Sequence, residues 1–585
     1  MTVLFDATFE RTLDRLAARL AVRPARQSGG APAAEAWTFD DAPSRRAAER
    51  ALAAQGVAVR IRSAYKPLVH FFLEEVDRTA LAAADIAYPV HPLAPPNRFL
   101  LEAYPLAALL DGAAVAFRAR PDEAFHYEVA LTFRDGRREE HRVAAPNRVH
   151  TDMAGETSVS PTGWLRIAGG GEGERLETEY ERLFEAAMKA VIDHPWTGGE
   201  PYFEELNIRV ELPAADQPLG YGDEVLSLRE ALHEEFYFSL LEVFQRKSGR
   251  PLGDRGLKPG QIAPEIVAGT GAVRARVELR PLSRATARGP ADPLDRAGAP
   301  LVEAQIRAEL ERIGGEAFEA PTRSGRRVLA RHVRGSDAAV MISGGQHANE
   351  TTGVVGALRA ARRLAGRPGA HFTVSPQENP DGYALHHRLR VDNPRHMHHA
   401  ARYTALGDDL EYRMPDGSGA GLLEKEIRLE AERRSGARLH VNLHGYPSHE
   451  WTRPLSGYVP RNFAMWTLPK GFFLVLRHHA GWEERGERLL DRITRRLGDI
   501  PGLAERNAAQ IALYETHAGE TGFRIVNGFP CLCSVDDRHS VPMTLITEYP
   551  DETIYGEAFV LGHTAQMETV LAAYDAWQEI AAAQA

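Results

Sequence analysis

Between residues 338 and 549 the chain carries five short, mostly apolar runs (338–343, 371–376, 437–446, 472–476 and 543–549), separated by segments of helical periodicity. A strand that is apolar on both faces must be covered on both, so such runs imply a sheet held between two layers of helices. The expectation for 301–585 is an α/β fold with a mixed, mainly parallel central sheet and helices on both faces. In such a sheet the chemistry belongs at the C-terminal ends of the strands. Helices are expected at 301–313, from a cap at Thr351 or Thr352 to about 365, at 422–435 with Gly436 as its stop, and at 482–497, 504–517 and 557–583.

A chain of 585 residues exceeds what one core usually serves. The stretch 281–300, PLSRATARGPADPLDRAGAP, has little apolar side chain to bury and reads as an exposed linker. Ahead of it, 37–280 reads as a separate α+β region of one or two subdomains. It has alternating strands on both sides of Arg134-Asp135-Gly136, strands at 207–213 and 272–281, and helices near 177–196 and 227–248. His233-Glu234-Glu235 lacks the second histidine of H-E-x-x-H, so it reads as the outward polar side of an amphipathic helix. Residues 1–36 are expected to hold a helix over 5–22, with Phe5, Phe9, Leu13, Leu16 and Leu20 inward, and then a flexible stretch over 24–34.

An apolar content of 44%, 26% charged residues and a net charge of −10 describe an ordinary globular chain. They do not favour nucleic acid or an anionic membrane as partner. Cys531 and Cys533, one residue apart, suit neither a four-cysteine metal site nor a structural disulfide and fit a reducing compartment. With no secretory pattern at the N-terminus and no apolar run near the roughly 18 residues of a membrane span, the expected location is cytoplasmic.

The strongest chemical signal comes directly after the first apolar run. In GGQHANETTG, His347 and Glu350 lie three apart; on one helical turn they would face one ion, and Gly344-Gly345 permits a tight turn at the strand end. A bare H-x-x-E is common by chance among 23 histidines, so the third ligand matters. His440, Asn442 and His444 alternate along ARLHVNLHGY and share one side of a strand. His444 stands at the exit, whereas His440 lies roughly 13 Å upstream at about 3.3 Å per residue and suits a buried, hydrogen-bonded role. Two imidazoles and a carboxylate are a common zinc donor set that leaves a position for water. Glu548 ends another apolar strand, where a carboxylate requires a partner or a function, and is the candidate general base. Asp551 and Glu552, further along, read as surface groups.

In these features the half from about 300 to 585 resembles the zinc metallocarboxypeptidases of the carboxypeptidase A type. GQHANE (345–350) matches their G-x-H-x-x-E ligand motif, and ENPDGY (378–383) their Asn-Pro-Asp-Gly turn. HGY (444–446) resembles the third-ligand segment, and ITEYPDE (546–552) the segment bearing the catalytic glutamate. The resemblance implies one Zn2+ held by His347, Glu350 and His444, with Glu548 taking a proton from water. The function it implies is hydrolysis of a peptide or small amide, as a metallocarboxypeptidase; an N-acyl amino acid hydrolase, an endopeptidase and a non-catalytic binding protein are the alternatives.

The family also uses one arginine at the oxyanion and an Asn-Arg pair at the substrate carboxylate. Counting from the turn, Arg395 is the expected oxyanion residue, with Arg390 next. Glu411-Tyr412 stand where the Asn-Arg pair would be, which leaves Arg413 or Arg453 to bind the carboxylate, with Tyr446 also on the substrate side. The family's mobile tyrosine has no counterpart in FRIVNGFPCL, and Tyr514 lies far upstream. Some of His396, His398 and His399 with Arg402 are expected to bind substrate or line the cleft, a second metal site being the alternative, and His449 and Glu450 are expected at the pocket rim.

Overall fold

The structure, a computed structural model, describes residues 1–22, 32–120, 122–413 and 421–582. Most of the flexible stretch expected over 24–34 lies outside the described residues. The expected first helix is divided. Thr2–Phe9 is an edge strand, and the helix spans only Thr12–Val22. Phe5 and Phe9 satisfy a two-residue period as well as a four-residue one, and pairing with Val273–Arg280 gives the strand its hydrogen bonds. These two strands continue through Glu205–Leu212 to Gln261–Ala268 in a four-stranded sheet. Further sheets form around Ala34–Thr38 and Leu81–Pro89, the latter including the hairpin expected at Gly136, whose φ is +86°.

Helix α1 (Leu228–Lys247) departs most from expectation. It is buried nearly all round, and His233, Glu234 and Glu235 point into protein instead of water. Its Phe236, Phe238 and Leu240 share a core with Met397, Trp451, Leu455 and Tyr458 of the C-terminal half.

The C-terminal half is built on nine strands: β1 (Glu316–Pro321), β2 (Arg327–Val333), β3 (Val340–Gly344), β4 (Phe372–Ser375), β5 (Leu439–Tyr446), β6 (Phe473–His478), β7 (Arg524–Val526), β8 (Phe529–Val535) and β9 (Met543–Pro550). Their order is β1-β2-β4-β3-β5-β9-β6-β8-β7. Parallel pairing runs unbroken through β4-β3-β5-β9 and recurs at β6-β8, while the other four pairings are antiparallel. The sheet is thus mixed, with its parallel part at the centre where the apolar runs lie. β1, β2, β7 and β8 escape a search for apolar runs because charged residues alternate along them or their ends are exposed.

Helices α2 (Glu303–Ile313), α3 (Thr352–Ala365), α6 (Glu483–Gly498) and α8 (Glu557–Ala582) cover one face. On that side Val340 and Ile342 of β3 enter the core, whereas Met341 points oppositely, toward Ile427 and Ala431 of α5 (Glu426–Ser435). Helix α4 (Pro380–Leu389) starts inside the Asn-Pro-Asp-Gly turn, where Asn379 Oδ1 accepts from Gly382 N, and α7 (Leu503–Ala518) follows α6. Leu294 and Ala297 also join the core on the α2 side, whereas most of 281–292 is exposed. No helix among the described residues is long and apolar enough to cross a membrane, and both cysteines are free thiols.

Candidate metal centre

β3 stops at Gly344, Gly345 takes φ +61°, and a loop leads to Thr352, where α3 begins. His347 and Glu350 therefore sit on the connecting loop, one turn earlier than a helical placement requires. The N-terminus of α3 is capped from outside: Asp551 Oδ2 accepts from Thr352 N (2.8 Å) and Oγ1 (2.6 Å), and Thr351 makes no side-chain cap. Asp551 and Glu552 are thus interior groups, 1% and 5% exposed, because the loop after β9 folds beneath α3.

Two strand ends bring the candidate ligands together. His347 Nδ1 is 2.7 Å from Glu350 Oε1, His444 Nδ1 is 2.9 Å from Glu350 Oε2, and the two Nδ1 atoms are 3.1 Å apart. One donor atom from each residue lies within 4.8 Å of the others, and all three side chains are buried. Among the described residues this is the one group of three or more such side chains that could hold an ion, so the histidines of 396–399 form no second one.

The surroundings fix this arrangement. Glu350 accepts from Gly445 N (3.0 Å) and from Arg402 Nη1 (2.7 Å). The backbone of His444 is held by Thr547 Oγ1 and Gln566 Nε2. His347 Nε2 lies 3.6 Å from Asp409 Oδ1, a carboxylate placed to orient the ring. Burial opposes ionisation of Glu350, but His347, His444 and Arg402 outweigh it and hold the carboxyl well below the usual range. Two imidazole nitrogens and an ionised carboxylate, converging in a buried pocket, fit a divalent cation of the zinc type.

Glu548 is the register partner of His444 across the parallel β5-β9 pair, so both side chains emerge on one face. They line a common cavity with Arg402, Asp409, Tyr446 and His399. Burial raises the pKa of Glu548 well above the ordinary carboxylate value and the charge of Glu350 raises it further, while Arg402 and Lys470 oppose the shift. Lys470 is itself pushed down to about 7, by burial, among the rings of Tyr446, Trp466, Phe473 and Tyr514.

The arginines are placed differently from the sequence expectation. Arg395 does not line the cavity: it is exposed, with its guanidinium on Asp223 and over Tyr555. Arg390 also packs on Tyr555. Arg413 is buried and consumed by Asp408, Glu424, Thr404 Oγ1 and Leu422 O. Arg453 is buried against Glu242 and Ser239 of α1. The guanidinium that touches the ligand cluster is that of Arg402. Tyr446 reaches the cavity with its ring, while its hydroxyl donates to Gly471 O and accepts from Lys470 N.

The other polar candidates are buried against partners. His440 meets Ser343 Oγ at 2.6 Å, as its upstream position suggested. His396 pairs with Asp216, His399 with Glu234 of α1, and His449 with Glu230 of α1, so His449 is interior and not at a rim. Glu450 meets Lys66 and Tyr458. Arg402, expected only as a member of a cleft-lining polar cluster, does line the cavity, together with His399. Asp409 was assigned no role from the sequence, where it is one of two adjacent aspartates.

No family model matches the chain, and no curated protein matches it. Solved structures do. A putative metallopeptidase from Shewanella denitrificans aligns at 15% identity over 46% of this chain and 87% of its own length, with a TM-score of 0.29. A metallo-carboxypeptidase from Pseudomonas aeruginosa aligns at 16% over 53% and 73%, with a TM-score of 0.28. A murein-tripeptide amidase from Escherichia coli O157 aligns at 14% over 46% and 95%, with a TM-score of 0.24. Likenesses this distant carry no functional argument, and the metal cluster itself is the better guide to the chemistry.

Proposed function

We propose that this protein is a zinc-dependent amide hydrolase of metallocarboxypeptidase type, acting on a peptide or small amide. One observation carries the reading: His347, Glu350 and His444 converge from two adjacent strand ends on a single point, and the strand partner of His444 is a buried glutamate on the same face. Zinc, when bound by these three residues, supplies the charge that acidifies water and polarises an amide carbonyl.

The remaining work falls to the chain. Glu548 takes the proton of the attacking water and delivers it to the departing amine. Its raised affinity for a proton, caused first by burial, suits both halves of that transfer. Arg402, rather than Arg395, is the group placed to stabilise negative charge developing on the carbonyl oxygen. Asp409 lies beside the ring of His347, and the Gly445 N–H and Arg402 hold Glu350 in one rotamer. Trp466 and Phe463 give the cavity apolar walls.

The test is a product screen by mass spectrometry, using the zinc-loaded protein with peptides and N-acyl amino acids. Cleavage of an amide is expected. Glu548→Gln is expected to keep its zinc and lose about 10²- to 10⁴-fold in kcat, the usual worth of a general base. Turnover by that variant within a few-fold of wild type removes Glu548 from the mechanism.

A further inference from the structure

The cavity contains three arginines, and two are already engaged. Arg402 donates to Glu350 (2.7 Å) and Arg477 to Glu411 (3.1 Å). The third, Arg255, comes from the loop between α1 and the strand Gln261–Ala268, outside the half that carries the metal cluster. Its guanidinium donates no hydrogen bond among the described residues; its ionic neighbour, Asp409 Oδ2, is 3.8 Å away. The side chain is 32% exposed, and the guanidinium is held between two rings, 5.2 Å from the centroid of Tyr412 and 5.5 Å from that of Phe463.

Each of these facts bears on recognition. A guanidinium fixed between aromatic faces has lost little hydrogen-bonding capacity and much of its freedom, so an anion binding to it orders little more. Planar donors left unspent at a cavity wall match a carboxylate in bidentate fashion. The distance to the metal cluster is short, because one carboxylate lies between them: Asp409 has Oδ1 3.6 Å from His347 Nε2 and Oδ2 3.8 Å from Arg255. Tyr412, one of the two rings, occupies the position where an arginine of the Asn-Arg pair was sought.

We propose that Arg255 anchors the free carboxylate of the substrate, which makes the substrate class amides whose amine product is an amino acid: peptides with a free C-terminus, or N-acyl amino acids. This rests on the amide-hydrolase reading, and it gives the N-terminal region a direct part in substrate choice.

The experiment compares N-benzoylglycyl-phenylalanine with its C-terminal carboxamide, using zinc-loaded full-length wild type, Arg255→Ala and Arg255→Lys. Wild type is expected to favour the free acid by about 10- to 100-fold in kcat/KM, mainly through KM, as a charge-assisted hydrogen-bond pair warrants. Arg255→Ala should bring that preference close to unity, and Arg255→Lys should fall between. An undiminished preference in Arg255→Ala overturns the proposal. So does a loss shared equally by acid and carboxamide with a fall in bound zinc, because Arg255 would then merely support Asp409.

If wild type cleaves neither compound nor any member of the product screen, the amide-hydrolase reading fails, and calorimetric titration of the free acid still decides the role of Arg255. Binding ten-fold or more weaker in Arg255→Ala supports it, and equal binding in the two proteins overturns it.

Discussion

Gly445 shows how closely the site is built at the scale of one residue. Its N–H donates to the candidate ligand Glu350. A Cβ added there would overlap the carboxylate of Asp551 and stand 2.8 Å from Tyr549 O. Asp551 in turn caps α3, so one added methyl would disturb a ligand and the helix after the ligand loop together. Gly445→Ala is expected to destabilise the protein by about 1–3 kcal/mol, as overpacking does. Zinc affinity should fall by roughly ten-fold or more, the usual cost of losing a group that holds a ligand. Denaturant unfolding and competition with a chelator measure the two effects; wild-type values for both would show that the loop after β9 yields freely.

At the scale of the element, α1 ties the N-terminal region to the site. Four of its carboxylates serve two loops of the C-terminal half: Glu234 the segment after α4, and Glu230, Glu235 and Glu242 the connection between β5 and β6. Glu230 meets His449, Glu234 meets His399, Glu235 accepts from the backbone of Leu455 and Ser456, and Glu242 pairs with Arg453 and Arg461. Burial raises the pKa of Glu242, but the two guanidiniums outweigh it and bring it down to about 2, against an unfolded value near 4.3. The folded state therefore binds that proton less readily than the unfolded chain. The resulting stability is present above pH ~4.3 and is lost as pH falls toward 2. Glu242→Gln is expected to cost about 3–5 kcal/mol at neutral pH, because it leaves buried cations unpaired, and that difference from wild type should shrink between pH 4.5 and 2. Melting curves of the two proteins across this range check it; a constant gap would mean that the charge of Glu242 contributes nothing.

Across the whole molecule, legibility in the sequence depends on range. Apolar runs report burial directly, so the centre of the sheet, its helices and the strand-end residues His347, Glu350, His444 and Glu548 could be read from them. Polar edge strands could not. The carboxylates of α1 looked like a solvated surface because their partners stand well over a hundred residues away, invisible to a local pattern. Counting from the Asn-Pro-Asp-Gly turn picked Arg395, but the segment after α4 first takes His396, Met397 and His399 into contacts with Asp216, Glu230 and Glu234. The guanidinium that reaches the metal cluster is consequently the later Arg402.

On the reading proposed above, three residues at two adjacent strand ends hold one zinc ion. Metal analysis of purified, zinc-equilibrated wild type and His444→Ala tests it most directly. About one tightly held zinc per chain is expected in the wild type, and a small fraction of that in a His444→Ala protein that remains folded. A full equivalent in the variant, or none in the wild type, would contradict the account.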